Sequence, residues 1–169
     1  MALVKGPFDV KWGANVVEDI SEVSLDYSQD NNQYSTIDNR KYTVDGAIEA
    51  SVTLTLLGND IPALAMLLPQ YHVANGAQLS SGETVTDTDG AIDVKAASCD
   101  MATVYNDLDI VSCGNPGQVF RLKNARSTID GMELADNAIR TVSIKFVGEP
   151  AQGVANVQFF KSGSLNPAS

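Results

Sequence analysis

Between Ile48 and Leu57 the apolar residues Ile48, Ala50, Val52, Leu54 and Leu56 alternate with Glu49, Ser51, Thr53 and Thr55. Successive side chains of a strand point to opposite faces, so this period of two predicts a strand over Ile48–Leu57 with one buried face and one polar, hydroxyl-rich face. A shorter alternation sets Val23, Leu25 and Tyr27 against Glu22, Ser24 and Asp26, and predicts a second half-buried strand. Phe8, Val10 and Trp12, interrupted by Gly13-Ala14 before Asn15–Val17, read as a short hairpin. Toward the C-terminus Leu108–Cys113, Gln118–Lys123, Ala138–Val147 and Val154–Phe160 read as further strands. Gly114-Asn115-Pro116-Gly117 suits a type II turn, because Pro116 fixes the first central φ and Gly117 accepts a positive φ at the second. Leu108–Lys123 is therefore expected to be a hairpin.

One segment breaks the strand rhythm. Asn59 or Asp60 offers an N-cap, Pro62 occupies a tolerated first-turn position, and Ala63-Leu64-Ala65-Met66-Leu67-Leu68 favours helix until Pro69 stops it. Two stretches are polar. Asn75–Gly90, rich in Ser, Thr, Gly and Asp, reads as a surface connection. Ser28–Gly46 is amide-rich, and within it Tyr34–Ile37 and Arg40–Val44 flank Asp38-Asn39, as an extended hairpin arm or a disordered loop would. An insertion of that length buries little by itself and is commonly functional. Asp-Gly-Ala-Ile occurs at Asp45–Ile48 and again at Asp89–Ile92, each at the expected entry to a strand, and reads as shared turn chemistry because nothing is repeated around it.

Composition adds bounds to this mainly β picture. The 169 residues fit one domain, with 44% apolar and 19% charged positions as in ordinary globular chains. Eleven basic against 21 acidic side chains give a net charge of -10, which opposes attraction to nucleic-acid backbones or anionic membranes. Cys99 and Cys113 are too far apart for a C-x-x-C motif and are expected to be reduced and buried. Lys5, Gly6 and Pro7 interrupt any secretory signal in Met1–Val10, and no apolar run is long enough to span a bilayer, so synthesis and retention in the cytosol are expected.

Candidate chemistry is sparse. The single histidine, His72, has no G-x-S-x-G elbow elsewhere in the chain to serve, and a catalytic role is not expected. Asp87-Thr88-Asp89-Gly90 resembles the middle of a calcium loop, but the first and last ligand positions fall on Val85 and Ala96, which carry no side-chain oxygen. No P-loop, dinucleotide fingerprint or metal-ligand spacing is present, and one tryptophan is few for a sugar-cleaving groove. The expectation is a non-enzyme without a cofactor or metal.

Taken in order, Met1-Ala2-Leu3-Val4-Lys5-Gly6-Pro7-Phe8, Lys11-Trp12-Gly13, Val23–Asp30, Tyr42–Ile48, Ser51–Leu57 and the closing Gln158-Phe159-Phe160 resemble the tail tube (major tail) proteins of tailed bacteriophages. The resemblance runs over most of the chain. It implies a β-sandwich or partly closed barrel with one flanking α-helix (about residues 60–68) and a long polar arm, as a single domain over residues 1–169. It further implies six copies in a ring, rings stacked into a hollow tube with an inner β-barrel, and a location in the virion tail after assembly in the host bacterial cytoplasm. Tape measure, tail terminator and distal tail proteins are the implied partners, with DNA passing through without specific binding and no membrane involved.

Under that resemblance the polar strand faces gain a use. Glu22, Ser24, Asp26, Glu49, Ser51, Thr53 and Thr55 are the candidate lumen residues, and their acids would repel passing DNA. Gln33, Tyr34, Ile37, Arg40, Lys41 and Tyr42 are the candidate ring-to-ring contacts on the arm, expected to be mobile in the monomer and ordered in the tube. A capsid decoration protein, and a carbohydrate-binding or depolymerising tail-fibre domain, are the alternatives.

Overall fold

The computed structural model describes residues 8–58, 61–95, 101, 103–112, 118–134, 140–150 and 153–161. Its strands are β1 (Phe8–Trp12), β2 (Asn15–Val17), β3 (Ile20–Ser35), β4 (Lys41–Leu57), β5 (His72–Val73), β6 (Ala91–Ile92), β7 (Tyr105–Ser112), β8 (Gln118–Glu133), β9 (Thr141–Gly148) and β10 (Val157–Lys161), with one α-helix, α1 (Ile61–Leu67). The chain is mainly β, as the alternation predicts.

The main sheet is antiparallel throughout, in the order β2-β1-β7-β8-β9-β4-β3, with β10 added to β8. Along one edge β8 serves two neighbours in turn, β10 opposite Gln118–Leu122 and β9 opposite Ala125–Glu133. Asn124 sits between them with φ of 50°. The path ends at β2 and β3, so the sheet does not close into a barrel. The expected mainly β fold with one flanking helix is found, and its sheet is open.

The sheet instead curls over its own apolar face. Trp12 on β1 and Phe146 on β9 meet edge to face with centroids 5.5 Å apart, and the Trp12 indole N–H donates to the Ala125 carbonyl of β8 at 3.1 Å. Val52, Leu54 and Leu56 of β4, Val142 and Ile144 of β9, Leu108 of β7 and Leu122 of β8 fill the space between. Helix α1 adds Leu64 and Leu67, with Leu68 just beyond it. Pro69 ends it as expected, and Pro69–Tyr71 continues as a 3-10 turn. The proposed caps Asn59 and Asp60 lie outside the described residues. Two polar bonds clamp this unit to β8: the buried Ser127 hydroxyl donates to the Leu67 carbonyl at 2.6 Å, and the Gln70 side-chain amide donates to the Ser127 carbonyl at 2.7 Å.

Several boundaries differ from the pattern reading. β8 runs ten residues beyond Lys123, and Asp45–Ile48 lies inside β4 at a bulge instead of at a strand entry. The second Asp-Gly-Ala-Ile does lead into a strand, β6. The β7–β8 hairpin forms, although its turn and both cysteines lie outside the described residues. Asn75–Gly90 is a mostly exposed connection pinned by the buried Val85, whose N–H donates to the Ala77 carbonyl at 2.9 Å, and by Asp93, whose carboxylate accepts the Ser80 N–H at 2.7 Å.

Candidate functional site

Strand register places every candidate lumen residue on one face. Glu22 lies opposite Thr55, Ser24 opposite Thr53, Asp26 opposite Ser51 and Ser28 opposite Glu49, while Thr55, Thr53 and Ser51 continue to Ser143, Lys145 and Val147 of β9. The other face of β4 is the core. Antiparallel alternation thus carries one polar surface across three strands, and β8 extends it with Thr128 opposite Lys145 and Arg126 opposite Val147.

The charge of this face is less one-sided than Glu22, Asp26 and Glu49 alone imply. Lys145 and Arg126 project from it as well, and Glu133, opposite Thr141, adds a fourth carboxylate. A concavity of about 560 Å³ on this face is lined by Asp26, Ser28, Glu49, Ser51, Lys145 and Glu149, so one lysine shares its lining with three acids. Glu149 also meets Arg126 at 3.5 Å across an exposed contact. Lys145 was legible as the polar partner in the Val142–Phe146 alternation, but its membership of this face follows only from the β4–β9 register.

The arm is the far half of the β3–β4 hairpin. β9 covers β4 only from Ser51 to Leu57, so beyond Ala50 the two strands pair with no third strand among the described residues. At the departure point Gln29 opposes Ile48 and Asn31 opposes Asp45, leaving one extra residue in β4 at Gly46-Ala47, a bulge of the kind that bends a strand. The buried Asn156 anchors this root through its side-chain N–H to the Ile48 carbonyl at 3.1 Å. Gly148 is required beside it, since a Cβ there would meet Asn156 Oδ1 at 2.4 Å.

Past the bulge the arm has two faces. Tyr34 stands opposite Tyr42, and Asn32 opposite Val44, on one side; Gln33 pairs with Thr43 and Ser35 with Lys41 on the other. Tyr34 is 57% exposed and Tyr42 53%, so the aromatic pair is half-covered by its own hairpin and by nothing else described. At the tip the Asn39 N–H donates to the Thr36 carbonyl at 3.1 Å, making Ile37 and Asp38 the central turn residues, and Asn39 takes φ of 62°. This moves the turn one residue from the expected Asp38-Asn39. Thr36 bonds the Asp38 carboxylate and accepts the Arg40 N–H at 3.1 Å, while Arg40 Nε lies 3.3 Å from Asp38. Ile37 is 104% exposed.

A second apolar surface lies at the root. Leu25, Tyr27, Ile48, Val157 and Phe159 line a groove, and Phe159 is 75% exposed although Phe120 packs its edge at 5.1 Å. The Val23–Tyr27 strand is therefore half-buried only at Val23, because β3 outruns the strands that would cover it.

Among the described residues no catalytic grouping is assembled around His72 or the Asp87–Asp89 turn. His72 Nε2 lies 3.0 Å from the Asp89 carbonyl and packs on Gly90, whose φ is 83°. The Asp87 carboxylate accepts the Asp89 N–H at 2.9 Å, an acidic turn closed on itself. No cluster of three metal-ligating side chains is found among the described residues, and no described helix is long and apolar enough to cross a membrane.

No protein-family model matches the chain, and no curated protein sequence matches it. Solved structures do. The chain is similar to a protein of the sheath-tube complex of an extracellular contractile injection system (PVC, extended state), with a TM-score of 0.52 and 16% identity over 91% of this chain and 88% of that one. It is similar to the tube-terminating cap of the anti-feeding prophage, with a TM-score of 0.52 and 16% identity over 95% of both chains. A protein of the native gene transfer agent virion gives a TM-score of 0.51 at 7% identity, over 90% of this chain and 94% of that one. The likeness spans nearly the whole chain, and the fold is one shared with components of tail-like tube assemblies.

Proposed function

We propose that this chain is a structural subunit of a phage-like tail, forming hexameric rings that stack into a hollow tube through which DNA is delivered. The observation that carries the reading is the register-aligned polar face of β3, β4, β9 and β8, opposite a core face that is apolar but for the hydrogen-bonded Ser127, on a fold shared with tube and cap components. A face of short hydroxyl and carboxylate side chains suits the wall of a water-filled channel, and pairing between copies would satisfy the open edge of β3. The reading involves no catalytic step and no cofactor. Its partners are further copies of the chain and the tape measure, terminator and distal tail proteins of the same virion.

Because a tube-terminating cap shares the fold equally well, a ring that ends a tube is the second reading. Negative-stain microscopy of the concentrated protein separates the two. Stacked tubes are expected for a tube subunit, single rings for a terminator, and monomers at every concentration would overturn both.

A further inference from the structure

We propose that the arm tip of one copy docks in the groove beside α1 at the opposite end of the β3–β4 hairpin of a second copy; this rests on the tube reading and supplies the receptor for the arm. The groove is lined by Val16, Glu18, Asp19, Ala63 and Met66, among other residues, and carries two carboxylates and no basic side chain in its lining. It lies at the hairpin base, where the Leu57 N–H donates to the Asp19 carbonyl at 2.8 Å and the Gly58 N–H to the Arg140 carbonyl at 2.8 Å. Val16 is exposed, so an apolar wall is open next to the acids.

The tip has the complementary chemistry. Ile37 is an exposed aliphatic side chain at the apex, flanked by Asp38, Arg40 and Lys41, which leave one net positive charge after Asp38 pairs with Arg40. In a chain of net charge -10 two copies repel, and a cationic tip facing an acidic groove is where that repulsion reverses. Ile37 would enter between Val16 and Met66, with Lys41 toward Glu18 and Asp19.

Geometry makes the contact one between copies. The 17 residues of β4 put tip and groove about 50 Å apart at a strand rise of ~3.3 Å per residue, at opposite ends of one hairpin. The two surfaces differ, so the contact is head to tail and propagates from copy to copy instead of closing a symmetric pair.

Charge reversal with rescue tests this, read as sedimentable assembly of the full chain. Lys41→Glu is expected to lower assembly about tenfold, the response to a like-charge contact of at least ~1.4 kcal/mol. Adding Glu18→Lys to Lys41→Glu should restore it, and Glu18→Lys alone should reproduce the loss. A photo-crosslinking residue at position 37 should label Val16–Asp19 or Ala63–Leu67 of another copy. Tubes that form with crosslinks elsewhere, or a double variant no better than Lys41→Glu, would overturn the docking while leaving the tube reading intact. A wild-type protein that never forms rings or tubes would overturn the reading and the docking together.

Discussion

The indole of Trp12 meets the ring of Phe146 at 5.5 Å although β7 and β8 lie between their strands in the sheet. Three strand spacings of ~4.8 Å would hold them about 14 Å apart in a flat sheet, so this contact measures how far the sheet has curled. Trp12→Phe removes the indole bond to the Ala125 carbonyl and part of the buried ring, a loss of about 1–3 kcal/mol. Phe146→Ala should cost more, about 3–5 kcal/mol. Urea unfolding of the monomer checks both, and equal losses would argue against the hydrogen bond as the specific term.

Ser127 offers a sharper case, since its hydroxyl is the buried clamp on the end of α1. Ser127→Ala should destabilise by about 1–3 kcal/mol through the orphaned Leu67 carbonyl. Ser127→Val, apolar but larger by a methyl group in a buried site, should do no better; a fully stable Val variant would show that packing alone holds the helix.

Acid should weaken the β7–β8 pair at Asp107. Burial raises the pKa of that carboxyl, but the Asn124 N–H and the Lys123 ammonium outweigh it and hold the group below the ordinary carboxylate value. With the folded value depressed, the stabilisation is complete above the unfolded pKa of about 3.9 and is lost as pH falls through the folded one. Asp107→Asn should therefore lower stability near neutral pH and converge on wild type as pH falls below the folded pKa. An unchanged gap between the two proteins across that range would defeat the assignment.

The aromatic pair on the arm should matter for assembly and not for folding. Replacing both Tyr34 and Tyr42 by serine is expected to leave the monomer unfolding midpoint unchanged while reducing tube yield, because these rings pack on no part of the core. Deleting Gln33–Tyr42 should leave soluble monomers or isolated rings. Tubes of normal length from the deletion would remove the arm from the assembly contacts.

Lysines in place of Glu22, Asp26 and Glu49 would join Lys145 and Arg126 on the polar face and turn it strongly cationic. Particles built from that variant should assemble yet deliver DNA poorly, with the defect easing at high salt, as phosphate contacts do. Unimpaired delivery at low salt would count against a lumen position for this face.

What could be read along the chain followed from which physical force holds each segment. Ile48–Leu57 was legible because burial on one face and water on the other write themselves as a period of two. Asn124–Glu133 escaped because the alternation Ala125, Ser127, Ile129 has a serine at its centre, buried by a hydrogen bond to α1 and not by hydrophobicity. The curl of the sheet and the sharing of the polar face with Lys145 depend on contacts between residues more than 80 positions apart, which no local pattern records. In the arm, the turn residues were compatible with a hairpin or a loop, and both the choice between them and the aromatic opposition of Tyr34 and Tyr42 needed the register beyond the Gly46-Ala47 bulge.

That bulge divides β4 into two stretches answering to different tests. Under the proposed assembly, substitutions from Ala50 to Leu56 are judged when a single chain folds, and those from Lys41 to Val44 when chains meet. On that reading one strand could drift at its outer end, altering which copies accept one another, without the fold registering the change.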